Sequence, residues 1–154
     1  MTDSFKELEK TMSKYKFYLK EAQRIEMSVR FPTKIVDNNI GGGKGTKVYQ
    51  DESMLKTMIR LEEHEQLQRY IALIKAIEDT YAELPDYLQQ TMKEFYINRE
   101  GIYRGLPKRT AAKLNVDVKT LYRWRVQIAE TFRLYKEIEV ERYETEMERL
   151  QDNN

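Results

Sequence analysis

Apolar positions recur along this chain at intervals of three and four, with charged positions between them, and rarely at intervals of two. Phe5, Leu8, Met12, Tyr15, Leu19 and Ala22 keep that spacing, which places them on one stripe of an α-helix. The stripe predicts a first helix over 4–29, ended by Pro32, whose ring cannot continue a helix and pushes Phe31 into extended geometry. The rhythm breaks at Glu26, so this helix is expected to pack on a neighbour rather than form a long coiled coil by itself. Met54, Met58, Leu61, Leu67, Ile71, Ile74, Ile77 and Tyr81 predict a second long helix over 51–83, with Asp51 and Glu52 in its first turn, where the helix dipole favours negative charge. Leu84, Leu88, Met92 and Phe95 predict a third over 86–97, with Pro85 at its first turn and Asn98–Gly101 closing it. Two more helices are expected over 107–114 and 118–150. Strand-like stretches are short and isolated, as at Lys34–Val36. The expected fold class is all-α.

Between the first two helices lies FPTKIVDNNIGGGKGTKVYQ, with four glycines, Gly41, Gly42, Gly43 and Gly45, close together. Glycines beside Lys44 and Thr46 raise the question of a phosphate-binding loop. That motif requires Gly-Lys-Ser/Thr in sequence between a strand and a helix. Here Lys44 is followed by Gly45 and no alternating strand precedes it, so residues 31–50 read better as a linker. The expected organisation is a helical oligomerisation or regulatory region over 1–83, a DNA-binding unit over 84–133 and an acidic helical tail over 134–154.

With 34% charged residues and a mean hydropathy of −0.78, the 154-residue chain has the balance of an elongated helical protein rather than one with a thick core. No run approaches the roughly 20 apolar residues of a membrane span, and MTDSFKELEK lacks a basic-then-apolar leader pattern. Cysteine is absent, which excludes disulfides and thiolate metal sites and points to a reducing cytosol. The single His64 has no partner at a convincing spacing, and no carboxylate pair stands out from the helical surface charge. Neither catalysis, a metal nor a cofactor is therefore expected. The net charge of +1 hides a strong segregation. Residues 98–133 carry 9 Lys/Arg against 3 Asp/Glu, while 61–97 carry 3 against 8 and 134–154 carry 3 against 7. A basic block between acidic ones is the pattern of a polyanion-binding element.

That block contains PKRTAAKLNVDVKTLYRWRVQIAETF. A helix-turn-helix requires a small residue where two helices approach, a turn-tolerant residue four positions later, and an apolar residue ten positions after the first. Ala111, Asn115 and Leu121 satisfy the spacing, with Asn in place of the commoner glycine because it also tolerates a left-handed backbone. Leu114, Val116, Leu121, Trp124 and Ile128 can form the core between the helices, and Asp117 can cap the second. Lys119, Tyr122, Arg123 and Val126 then share the outward face. Early outward residues of the second helix reach base edges in the major groove of duplex DNA. Arg123 suits bidentate contact with guanine, and Lys119, Thr120 and Tyr122 suit bases or phosphates. Arg104, Lys108, Arg109 and Lys113, before or on the first motif helix, suit phosphates. Arg125 and Arg99 carry a weaker claim.

EFYINREGIYRGLPKRTAAKLNVDVKTLYRWRVQI resembles the C-terminal part of the RinA/ArpU/LtrC-type phage late-gene transcriptional activators, a part that is itself similar to region four of primary bacterial sigma factors. EFYINREG, AAKLNV and KTLYRWR carry the match, and DNNIGGG is similar to that family's Asn-Ile-Gly-Gly segment. The resemblance implies binding near phage or prophage promoters, contact with host RNA polymerase and action in the bacterial cytosol. By position it carries over Lys119, Thr120, Tyr122 and Arg123 as DNA contacts. A small terminase subunit is the alternative, although there the DNA unit is expected ahead of the assembly helices. A homo-oligomer is expected, built mainly by the two long N-terminal helices with the tail secondary.

Overall fold

The computed structural model describes residues 3–30, 46–99 and 103–152. Among these the fold is all-α: α1 (Phe5–Ser13), α2 (Tyr15–Arg30), α3 (Thr46–Glu83), α4 (Asp86–Met92), α5 (Leu106–Leu114) and α6 (Val118–Asp152). A π-helical turn over Lys93–Ile97 continues α4. The glycines Gly41–Gly45, the expected stop at Pro32 and the side chains of Met54, Met58 and Leu61 lie outside the described residues.

α1 starts on a capping box. The Glu7 backbone N–H donates to Ser4 Oγ at 3.2 Å, and the Ser4 N–H donates to Glu7 Oε2 at 3.3 Å. The single helix expected over 4–29 is two helices, parted at Lys14 (φ −94°, ψ 10°). Its N–H closes a tight turn on the Thr11 carbonyl at 3.1 Å. Thr11 and Ser13 hydroxyls donate to the carbonyls of Glu7 and Glu9, at 3.0 and 2.8 Å. Such back-bonding competes with the helix ladder and bends it. The consequence is a change of phase: Leu8 and Met12 are buried as expected, but beyond Lys14 the buried positions are Tyr18 and Ile25, and Leu19 faces outward.

α3 packs along both α2 and α6. It runs antiparallel to each: Tyr15 and Ser28 of α2 meet Glu78 and Glu63, while Tyr135 and Tyr143 of α6 meet Glu83 and the Glu65 carbonyl. Ile77, Ala76 and Thr80 are buried in this layer, and Ile71, expected on the inward seam, is 44% exposed. Tyr18 stacks on Tyr70 with ring centroids 5.4 Å apart. The inner side of α2 is thus occupied within one chain. The acidic tail is also engaged: α6 continues unbroken past residue 134, Glu139 is buried, and Lys75 pairs with it at 3.3 Å.

The near half of α6 packs against α1, α4, the π turn and α5, where Leu88, Met92, Phe95, Tyr96, Leu106, Ala111, Leu121, Ile128 and Phe132 form one continuous core with Leu8 and Met12. Full burial of a side chain the size of Phe132 or Ile128 is worth on the order of 2 kcal/mol. On the π turn Phe95 and Tyr96, adjacent in sequence, are both buried, with exposures of 1% and 0%. Among the described residues no helix is long and apolar enough to cross a membrane.

Candidate nucleic-acid interface

α5 begins after Gly105, whose backbone is left-handed (φ 78°). A Cβ there would meet only the Arg109 guanidinium at 3.7 Å, so glycine is favoured by conformation and not by space. Leu106 and Pro107 then open the helix, and Pro107 needs no hydrogen bond from its nitrogen in the first turn. α5 ends on Asn115, also left-handed (φ 58°, ψ 44°). The Val116 N–H reaches back to the Ala111 carbonyl at 2.9 Å, which closes the helix end. Two residues on, Asp117 Oδ1 accepts the Thr120 backbone N–H at 2.7 Å and caps α6. The Thr120 side chain and backbone N–H, helped by nearby Arg123 and Lys119, hold the Asp117 carboxyl below its ordinary range. Ala111 and Leu121 are buried where the helices meet, and Leu114, Val116 and Trp124 pack against the same core.

This geometry sorts the expected contact residues. Lys119 and Arg123 are exposed, on the side of α6 opposite Leu121, Arg125 and Ile128. Thr120 is half-buried, its backbone held by Asp117. Tyr122 lies at the flank of that face, 51% exposed, with its ring edge-on to Phe5 of α1 at 5.8 Å. Val126 is half-buried. Arg104, Lys108 and Arg109 are exposed around the start of α5, where Arg109 Nη1 donates to the Arg104 carbonyl at 3.3 Å. Lys113 is exposed as well, but its ammonium pairs with Glu94 of the π turn at 2.7 Å. Among the described residues Arg104, Lys108, Lys119 and Arg123 make no ion pair.

The two arginines of weaker claim contact groups of the protein itself, Arg125 in the interior and Arg99 half-buried. Arg125 is buried, donates to both oxygens of Glu9 at 2.8 and 2.9 Å, and lies over the Phe95 ring at 4.4 Å. Tyr96 donates to the same Glu9 at 2.5 Å, and burial followed by the Glu9 charge raises its phenol well above the ordinary value. Arg99 donates to Ser13 Oγ at 3.1 Å and stacks over Tyr103. The helical period alone places Arg125 inward, but no local pattern identifies Glu9, 116 residues away, as its partner. His64 is exposed, and among the described residues no cluster of His, Cys, Asp or Glu is arranged to hold a metal.

Comparison of the chain with protein-family models, with curated proteins and with solved structures finds no match.

Proposed function

We propose that this protein binds double-stranded DNA through α5, the Asn115–Asp117 turn and α6, used as a helix-turn-helix, and that it regulates transcription. The observation that carries the reading is the position of Arg104, Lys108, Lys119 and Arg123. These exposed cations make no ion pair among the described residues. Lys108 is on α5 and Lys119 and Arg123 are on α6, near the capping Asp117, with Arg104 just ahead of α5, and the two helices are joined by a left-handed, capped turn. Cations left unpaired beside well-paired ones such as Arg125 and Lys113 suit a polyanion better than the protein's own carboxylates. In this reading Arg123 and Lys119 meet base edges or phosphates in the major groove, while Arg104, Lys108 and Arg109 hold the backbone. Thr120 and Tyr122 contribute from the sides of the same turn.

The regulatory role, late-gene activation with host RNA polymerase, rests on the resemblance of residues 94–128 to the phage activators. Pairing of two copies belongs to the same reading, because one motif covers little DNA and two lengthen the site.

Equilibrium binding to duplex DNA across a salt series tests the first step. Each phosphate neutralised should contribute about −0.9 to the log–log slope. A steep slope supports the reading, and affinity indifferent to salt ends it. Transcription with purified bacterial RNA polymerase from a promoter inside the protected segment tests the second step. Increased transcript is expected, and no change would leave a DNA-binding protein of another kind.

A further inference from the structure

A cleft of about 430 Å³ opens between α1 and the end of the π turn. Lys6, Lys10 and Lys14 stand along its α1 side, and Arg99 and Tyr103 line the other. The lysines are spaced four residues apart, so Lys6 and Lys10 are about 6 Å apart along the helix axis. All three are exposed and, among the described residues, none makes an ion pair. Among the described residues the one acidic residue on the lining is Glu9, and its carboxylate is already taken by Arg125 and Tyr96. Among the described residues the cleft therefore presents four cations with no carboxylate of its lining left to balance them. Tyr103 stands at the mouth, 51% exposed, beneath the Arg99 guanidinium at 4.9 Å.

Both walls run into the candidate interface. Tyr103 immediately precedes Arg104 and Gly105 at the start of α5. α1 is fastened to α6 by Glu9 on Arg125, on the inward side of that helix, and by Phe5 against Tyr122, at the flank of the face that carries Lys119 and Arg123. A strand leaving the α5–α6 surface on this side has a cationic path to follow.

We infer that the α1 cleft is a second DNA-contacting surface, in which Lys6, Lys10, Lys14 and Arg99 bind the phosphodiester backbone beyond the segment read by α6. The inference rests on the DNA-binding reading above and extends it: α1 becomes part of the interface, and the bound site is longer than α5 and α6 alone would cover. An acidic protein segment has matching charge, but continuity with the α5–α6 surface favours DNA.

The test compares full-length wild type with Lys6→Gln/Lys10→Gln and with Lys16→Gln/Lys20→Gln, a control pair exposed on α2. Binding to a long random-sequence duplex is measured over a salt series. The α1 pair should flatten the log–log slope by about 0.9 for each phosphate it no longer neutralises, and on a duplex carrying the preferred sequence its DNase footprint should shorten at one end. The α2 pair should leave both as in wild type. A wild-type slope and footprint in the α1 pair overturn the inference while the α5–α6 reading stands, and equal losses in both pairs also overturn it, because they would report net charge and not a site. Wild type that fails to bind DNA removes both. Circular dichroism checks that the exposed lysine variants are folded, and Lys14→Gln supplies an independent single-site version.

Discussion

Glu9 and Arg125 lie 116 residues apart in sequence and meet through two parallel hydrogen bonds of 2.8 and 2.9 Å, with Arg125 only 7% exposed. The pair joins the N-terminal helix to the helix that carries Arg123. Because the Tyr96 hydroxyl also ends on Glu9, one carboxylate organises three elements. Removing it would strand a buried guanidinium. Glu9→Ala should lower the unfolding free energy by about 3–5 kcal/mol in urea titrations. Replacing both partners with apolar residues of similar size should recover much of that. A Glu9→Ala protein as stable as wild type would show that the pair contributes little.

The turn between α5 and α6 makes a separate demand on the backbone. Asn115 is left-handed at φ 58°, where a β-branched side chain crowds its own carbonyl. Asn115→Val should cost about 1–2 kcal/mol, and Asn115→Gly should stay close to wild type or exceed it. Equal stability of the two variants would mean that the turn rearranges freely.

For DNA, the arginine and the lysines should behave differently. Arg123→Ala should cost about 1–3 kcal/mol at the preferred sequence and relax choice at one base pair. Lys108→Ala should weaken all sequences alike and flatten the salt slope by about 1. Lys113 is held by Glu94 at 2.7 Å, so Glu94→Gln should release a cation and raise affinity for any duplex. Unchanged or weaker binding by Glu94→Gln would place Lys113 away from DNA.

Alkaline titration reports on the α2–α3 contact. Burial first, then the hydrogen bond to Glu78 at 2.8 Å, raises Tyr15 from 10.0 to about 12. The folded state thus holds this proton more tightly than the unfolded chain. The stability it lends is complete below pH 10 and is lost as pH rises towards about 12. Tyr15→Phe should remove that part of the alkaline decline, measured as midpoint against pH. A parallel decline in both proteins would locate it elsewhere.

Local chemistry made much of the α5–α6 region readable in advance. A small residue at Ala111, a turn-tolerant Asn115, a capping Asp117 and an apolar Leu121 act within a few residues of one another, and the structure has each in the expected state. The seams of the long helices were less legible. One non-helical residue, Lys14, rotates everything after it, so Tyr18 replaces Leu19 on the buried side. Ile71 faces out because α3 has neighbours on two sides and its inward direction is set by both. The π turn at Lys93–Ile97 left no sequence signal, and neither did the cleft it makes with α1, which depends on tertiary packing.

α6 runs from the capped turn at Asp117 to Asp152 as one rod of 35 residues, about 50 Å long at 1.5 Å per residue. A rod of that length acts as a lever. Its first turns are fixed in the core by Leu121, Arg125 and Ile128, so a tilt of about ten degrees there would sweep its far end through about 9 Å, more than one helical pitch. The place of the last turns is therefore governed at a distance, by the packing around Leu121 and Ile128, and the Lys75–Glu139 contact helps to hold the shaft to α3.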